Sequence, residues 1–101
     1  MVEATDEAIG FVAGHTRKTL EADRKTLLAV IRCVEIIGEA ATKVSEATRS
    51  SAPNIPWAAI VGMRNRLIHA YFDIDVDVVW KTVTIELPAL QAQLRMLLQE
   101  P

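Results

Sequence analysis

The spacing of apolar residues near the C-terminal end most constrains the fold of this chain. Between residues 76 and 97 these residues recur at alternating intervals of four and three, which places them on one face of a helix. A helix with such a seam is stable only when other helices pack against it. We therefore expect an all-α protein. The seam consists of Val76, Trp80, Val83, Leu87, Leu90, Leu94 and Leu97.

Length and composition agree with one helical domain. The chain has 101 residues, of which 50% are hydrophobic, and only four Gly and four Pro, so we expect a single domain over residues 1–101. The net charge of −2 argues against non-specific coating of nucleic acid, so any RNA contact needs a local basic patch. The single Cys33 leaves no internal disulfide and fits a reducing cytoplasm. Because no apolar run approaches the length of a membrane span, we expect a soluble, cytoplasmic protein without membrane contact.

Local capping signals divide the chain into four principal helices joined by short loops. Each signal is a residue type that begins or ends helices: Gly14 after a first helix from Thr5 or Asp6 to Ala13, Thr16 before a short turn through Leu20, Asp23 before a long second helix to about Thr48, Pro56 at the first position of a third, and Asp75 before a fourth that begins near Val76. Pro88 removes one backbone hydrogen bond from the last helix, so we expect a kink there. This organisation predicts an up-and-down four-helix bundle.

Two of these helices carry apolar residues beyond a single core-facing stripe. Extra apolar stripes in a small bundle usually indicate a partner, and two-fold pairing is the commonest assembly. We therefore expect a homodimer, with the alternative that these residues cover one another within the monomer. They are Ile36 and Ala40 on the long helix and Val78, Ile85, Ala89, Ala92 and Met96 on the last.

An arginine in the third helix stands out from its surroundings. An apolar stripe beginning at Trp57 predicts position 64 as a core position, and that position is Arg64. A buried unpaired cation is costly, so this arginine needs an anion or a water-filled cleft to face. A structural buried salt bridge with Glu35 or Glu39 of the long helix is the alternative interpretation.

His69 follows five residues later, and histidine is the side chain best suited to proton transfer near neutral pH. Residues five apart lie about 140° apart on a regular helix. Arg64 and His69 can therefore share a site if the helix ends or distorts near Ile68, or if two copies meet across a dimer interface. An arginine that holds a phosphate and a histidine that moves a proton suffice to cleave RNA without a metal. Alternatively, His69 is a helix C-terminal cap and Tyr71 a half-buried core residue.

The motif Arg64-x4-His69, with Asn65 after the arginine, resembles that of the HEPN superfamily of helical ribonucleases. The fuller motif, with Tyr71 two residues after the histidine, resembles that of the HepT-like toxins of HEPN/MNT toxin–antitoxin modules. Flanking segments that share it are 35–41, 55–57, 62–65 and 79–83, and in all it covers roughly residues 5 to 98. It implies a homodimeric endoribonuclease that uses neither metal nor cofactor.

The resemblance also implies roles for individual residues. Arg64 would bind the scissile phosphate and stabilise charge in the transition state, and His69 would act as general base or acid around the ribose 2′-hydroxyl. Asn65 would orient the site or contact phosphate. On the sequence alone, Arg66 is expected to extend a basic rim for RNA. The products would be a 2′,3′-cyclic phosphate and a 5′-hydroxyl, so DNA would not be cleaved.

Tyr71 has a regulatory role in the resemblance. An MNT-type nucleotidyltransferase antitoxin would transfer AMP to its hydroxyl, and the added anion would block the groove and repel RNA. Two alternatives stay open. One is a non-catalytic helical docking subunit of a minimal nucleotidyltransferase that binds nucleotide or RNA at the Arg64 cleft. The other is a structural dimer with a decayed site.

The acidic run from Asp73 to Asp77 is not expected to bind metal. It resembles the opening of a calcium loop, but Val78 and Thr84 stand where that loop needs a glycine and a glutamate. These aspartates are better explained as residues at the start of the last helix.

Overall fold

The computed structural model describes residues 1–70 and 73–99, and at residues 69 and 70 it describes the backbone only. Most of this part of the chain is helical, which confirms the all-α expectation. The elements are α1 (Val2–Val12), α2 (Arg17–Ala22), α3 (Arg24–Thr42), α4 (Glu46–Ser51), α5 (Trp57–Val61), α6 (Met63–Leu67), β1 (Ile68–Ala70), β2 (Asp73–Ile74), α7 (Val76–Lys81), a π-helical segment (Thr82–Glu86) and α8 (Leu87–Gln99).

The helix α3 lies at the centre of the bundle. It packs against α1 and α2 and against the pair α5–α6, while α1 also contacts α8 and the π-helical segment. The inward face of α3 is fully covered, and its core residues include Val30, Val34, Ile37 and Ala41. With α7–α8 as the fourth packed unit, the arrangement confirms the expected helical bundle. None of the helices in the described ranges combines the length and apolar character needed to cross a membrane.

The predicted caps of the second and third helical segments are confirmed. The Thr16 hydroxyl accepts from the Thr19 N–H, and the Thr19 hydroxyl accepts in return from the Thr16 N–H, which forms a capping box. The Asp23 carboxylate accepts from the Thr26 N–H at 3.1 Å and so begins α3. Gly14 has a φ of +82°, the left-handed conformation expected after a helix, although α1 begins earlier than predicted, at Val2.

The long helix is shorter than predicted, because α3 ends at Thr42 and not near Thr48. A separate helix, α4, follows it, and the Ser45 hydroxyl accepts from the Thr48 N–H to begin it. Arg49 in α4 donates through Nη2 to the Ala41 carbonyl at 2.5 Å. The Ala41 carbonyl also accepts from the Val44 N–H at 3.3 Å, so the arginine adds a second donor at the end of α3. The sequence thus has a second N-cap at Ser45, after the one at Asp23, and the predicted long helix ran past it.

The third helix is interrupted at Gly62, which separates α5 from α6. Met63 and Leu67 take the inward positions of α6, and both are buried. The prediction that Arg64 occupies a core position was therefore wrong, since its side chain is 50% exposed. The predicted stripe ran from Trp57 to position 64, whereas the buried residues Ile60, Met63 and Leu67 form a stripe that passes through position 63 instead.

The irregularity expected at Pro88 takes the form of the π-helical segment directly before it. In a regular helix the proline ring would collide with the carbonyl of Thr84, four residues earlier. The wider π turn relieves this crowding, and the N–H of Leu87 donates to the carbonyl of Thr82, five residues back. The Thr84 hydroxyl donates to the Trp80 carbonyl at 2.6 Å, which satisfies a carbonyl in the altered turn.

Part of the predicted second apolar edge is open to solvent. Ile36 on α3 and Ile85 and Met96 towards the C-terminal end are exposed, whereas Val78 packs partly against the core. Exposed apolar side chains of this size agree with an interface, and the homodimer stays a prediction.

Candidate active site

The motif region is positioned by the end of α6. Helix α6 ends at Leu67, and Ile68 has an extended backbone with a φ of −126° and a ψ of 113°. The strand β1 then pairs antiparallel with β2, with Ile68 opposite Ile74, and the Asp75 N–H donates to the Leu67 carbonyl at 2.8 Å. The predicted end of the helix near Ile68 is confirmed, but sequence analysis did not foresee the hairpin.

This hairpin changes how the two motif residues relate. His69 lies on the strand β1, whereas Arg64 lies on α6, so the separation of about 140° on one helix does not apply. The side chain of His69 and the whole of Tyr71 lie outside the described residues. Their chemical roles stay predictions from sequence.

Arg64 lines an open cleft between α3 and the α5–α6 pair. The cleft has a volume of about 240 Å³. The guanidinium Nε of Arg64 lies 3.9 Å from Oε1 of Glu35, and these side chains are 50% and 36% exposed. The alternative of a buried salt bridge is therefore wrong, because the pair is open to water. The cleft is lined by Glu35, Gly38, Glu39, Thr42, Val61, Arg64 and Asn65.

Gly38 allows α3 to approach α5 closely enough to form this cleft. A Cβ at this position would lie 3.3 Å from the Ile60 carbonyl oxygen and 3.4 Å from that of Val61, tighter than ordinary contact. Glu35 and Thr42, three residues before and four after the glycine, share its face of the helix. A glycine inside an otherwise regular helix is itself the signal of close packing.

The charges along the outer side of α3 come in pairs. Glu35 lies between two arginines, with Oε2 3.6 Å from Nη1 of Arg32 and Oε1 facing Arg64. Glu39 faces Lys43, with 4.0 Å between Oε1 and Nζ. Three cations thus accompany two carboxylates, which leaves these five groups with one excess positive charge. Such a balance suits the binding of a single phosphate in a protein that is acidic overall.

Asn65 shares the cleft with Arg64, whereas Arg66 does not. Nη1 of Arg66 lies 3.3 Å from Oε1 of Glu86, and Arg66 lines a different cavity of about 260 Å³ between α5–α6 and α8. Residues two apart on a helix point about 200° apart, which explains the separation of the two arginines. The structure therefore brings Asn65, but not Arg66, to Arg64.

The described side chains offer no ready metal site. Among residues 1–68 and 73–99, no group of three His, Cys, Asp or Glu side chains is placed to hold an ion together. Asp75 acts at the start of α7, where its carboxylate accepts from the Val78 N–H at 3.1 Å. Asp77 in the first turn of α7 pairs with Arg17 of α2. The interpretation of these two aspartates as helix-start residues is confirmed.

Comparison with known proteins gives a consistent family. The model of the family described as "Ribonuclease HepT-like" matches residues 1–97. A protein of Thermococcus cleftensis named "Probable ribonuclease HepT" is 41% identical over 100 residues, which cover 95% of this chain and 91% of that protein. A Methanocaldococcus jannaschii protein named "Putative RNase MJ1216" is 32% identical over 100 residues, covering 99% of this chain and 83% of its own. A search of the solved structures gives no significant match.

Proposed function

The chain belongs to the HepT-like ribonuclease family, and on that premise we propose that it is an endoribonuclease that cleaves RNA through Arg64 and His69 without a metal ion. The observation that carries the proposal is the half-exposed guanidinium of Arg64 in an open cleft. Arg64 lies four residues before the start of β1, the hairpin strand that bears His69.

The proposed reaction is an attack by the neighbouring 2′-hydroxyl on phosphorus. His69 takes the proton of the 2′-hydroxyl as that oxygen forms a bond to phosphorus, and the same His69, now protonated, gives the proton to the departing 5′-oxygen. Arg64 stabilises the negative charge that collects on the non-bridging oxygens. The bond from phosphorus to the 5′-oxygen breaks, which leaves a 2′,3′-cyclic phosphate and a free 5′-hydroxyl. No water is consumed in this step, and DNA is inert because it lacks the attacking group.

The neighbours of Arg64 have supporting roles in the proposal. Asn65 lines the same cleft, and in the proposed reaction it orients or contacts the phosphate. Arg66 lies in the adjacent cavity against Glu86, so we assign it an RNA contact outside the cleft. No metal and no cofactor enters the reaction.

The proposal also covers assembly and control. A homodimer would cover exposed apolar residues such as Ile36, which lies one residue from Glu35 of the cleft. We propose that the chain is the toxin of a two-gene toxin–antitoxin module whose partner is an MNT-type nucleotidyltransferase. Transfer of AMP to Tyr71 would place a bulky anion two residues from His69 and so prevent RNA from entering.

The test is RNA cleavage in EDTA by protein produced without the partner, so that Tyr71 is unmodified. Wild type should cleave RNA to a 2′,3′-cyclic phosphate, and His69→Ala should lower the rate by about 10²–10⁴-fold, the usual contribution of a general acid–base group. His15→Ala is the matched control, because His15 contacts Thr19 and Asp23 away from the cleft and its loss should leave cleavage unchanged.

Size-exclusion chromatography of each variant shows whether the assembly survives the substitution. If wild type cleaves no RNA, or if His69→Ala cleaves as fast as wild type while keeping its assembly, the proposed reaction is wrong. In the first case, binding of a nucleotidyltransferase or a nucleotide becomes the activity to measure.

A further inference from the structure

The carboxylate of Glu35 contacts a different arginine with each oxygen. Oε1 lies 3.9 Å from Nε of Arg64, and Oε2 lies 3.6 Å from Nη1 of Arg32 on the same helix. Because these groups are exposed, they contribute little to folding stability. The carboxylate therefore lies between two cations at the edge of the cleft, where its effect falls on the charge and position of Arg64 more than on stability.

The contact with Arg64 restrains the guanidinium without using its donors. A distance of 3.9 Å is too long for a hydrogen bond, so the attraction is electrostatic and Glu35, among the described side chains, does not occupy an N–H of Arg64. The contact is also at Nε, which leaves the four N–H groups on the two terminal nitrogens for a phosphate. Glu35 thus limits where the guanidinium can lie while leaving its phosphate-binding end open.

The backbone supports this geometry. Gly38, three residues after Glu35, lets α3 pack against the carbonyls of Ile60 and Val61, the last residues before the helix break at Gly62. The spacing between the helix that bears Glu35 and the segment that bears Arg64 is therefore set by close backbone contact. Arg32 holds the outer oxygen of Glu35, so the carboxylate is restrained from both sides.

We propose that Glu35 is a positioning residue that holds Arg64 in place for the transition state, and that Arg32 in turn holds Glu35. This inference rests on the proposed ribonuclease function. It predicts that removing the carboxylate changes RNA affinity and the rate of the chemical step in opposite directions. The local positive charge rises, so RNA binds at least as tightly, yet Arg64 loses its restraint, so the chemical step slows. A residue with a purely structural role would not separate these two quantities.

The experiment compares Glu35→Gln and Glu35→Ala with wild type on an RNA that has one cleavage site. We expect kcat to fall by about tenfold in Glu35→Gln and further in Glu35→Ala, since small displacements of a catalytic group cost up to about a hundredfold. Glutamine keeps an oxygen that can face Arg64, so it should rescue part of the loss. Affinity for the same RNA with a 2′-deoxy sugar at the cleavage site should stay equal or increase.

Two further variants separate positioning from general electrostatics. Glu39→Gln removes the same charge one turn further along α3, where the carboxylate faces Lys43 and not Arg64, and should therefore lower kcat less than Glu35→Gln does. Glu21→Gln removes a glutamate that pairs with Arg17 on α2, outside the cleft, and should leave both quantities as in wild type. Arg32→Ala should lower kcat less than Glu35→Ala, because it acts one contact further away.

The outcomes are distinguishable. Wild type that cleaves, together with a Glu35→Gln variant whose kcat is unchanged or higher, overturns this inference and leaves the ribonuclease proposal standing. Equal losses of kcat in Glu35→Gln and Glu39→Gln also overturn it, because charge alone would then explain the loss. A wild-type chain without cleavage overturns the proposed function and this inference with it. Circular dichroism and thermal unfolding of each variant identify any loss caused by misfolding.

Discussion

Two arginines on the same short helix have opposite surroundings. Arg66 forms a hydrogen bond with Glu86 at 3.3 Å and lines a cavity on the side of α8. Arg64, two residues earlier, faces Glu35 across 3.9 Å in a cleft on the side of α3. Both side chains are about half exposed, at 45% and 50%, so burial does not distinguish them. Their partners do.

The difference shows which arginine is available to a ligand. The guanidinium of Arg66 already donates one N–H to the Glu86 carboxylate. A phosphate would have to compete with Glu86 for that N–H. Glu35 does not occupy an N–H of Arg64, which shares its cleft with Asn65. In the sequence the two residues form one basic cluster. In the structure Arg66 is hydrogen-bonded to Glu86, whereas Arg64 faces Glu35 at 3.9 Å in an open cleft.

The largest effect is expected for the two arginines themselves. Arg64→Ala should lower kcat by about 10²–10³-fold, comparable to the loss of one transition-state donor. Arg66→Ala should change kcat little, weaken RNA binding modestly and reduce the dependence of affinity on salt by about one phosphate contact. Steady-state cleavage and binding at several salt concentrations would measure both.

Equal losses of kcat in the two variants would contradict the separation. Such a result would mean that the cavity beside Glu86 belongs to the same site as the Arg64 cleft. Glu86→Gln provides a check, because it frees Arg66 from its partner and should then increase RNA affinity without changing kcat.

A smaller effect is expected from two glycines that both lie inside helices. Gly10 in α1 has open space where a Cβ would be, whereas a Cβ at Gly38 would meet two backbone carbonyls of α5. Gly10→Ala should therefore stabilise the fold by about 0.5–1 kcal/mol through helix propensity. Gly38→Ala should instead destabilise it, because crowding of about 1–3 kcal/mol outweighs that gain. Urea unfolding measures both changes.

The glycine pair also bears on the Arg64 cleft. Displacement of α3 from α5 by Gly38→Ala should move Glu35 relative to Arg64 and lower kcat, while Gly10→Ala should leave kcat as it is. If Gly38→Ala were as stabilising as Gly10→Ala, the close approach of α3 and α5 would not be what forms the cleft.

Much of the fold followed from the sequence because its signals are local. The caps at Thr16, Asp23 and Asp75 each act within three residues, and the structure confirms all three. The error at Arg64 had a different origin. Apolar spacing alone allows the stripe from Trp57 to pass through position 63 or position 64, and the structure buries Met63 and Leu67 and leaves Arg64 half exposed.

The site was only partly predictable for the same reason. The sequence singled out Arg64 and required an anion or an open cleft for it, and the structure has Glu35 and such a cleft. The opposite orientations of Arg64 and Arg66 are also visible in their spacing of two. In contrast, the hairpin after Leu67 depends on pairing between strands, and the approach of α3 to α5 depends on tertiary packing. Local propensities report neither.

The smallest effect is expected at an arginine–carboxylate contact far from the cleft in sequence. Asp6 of α1 accepts from Gln91 at 2.6 Å and from Arg95 at 3.0 Å, which joins α1 to α8. The hydrogen bond from Gln91 and the contact with Arg95 lower the pKa of Asp6 below its usual 3.8. The ionised carboxylate is therefore favoured in the folded state, and its contribution to stability is present above about pH 4.

Asp6→Asn should thus lower the free energy of unfolding slightly at pH 7, and the difference from wild type should shrink as the pH falls below 3.8 through the lower pKa of the folded state. Urea unfolding at pH 7, 5 and 3 would measure it. RNA cleavage by Asp6→Asn should equal that of wild type, because a closely bonded pair between α1 and α8 serves stability, whereas the looser pair at Arg64 serves the reaction. A kcat that falls with this variant, or a stability difference that grows in acid, would mean that the two kinds of contact are not divided in this way.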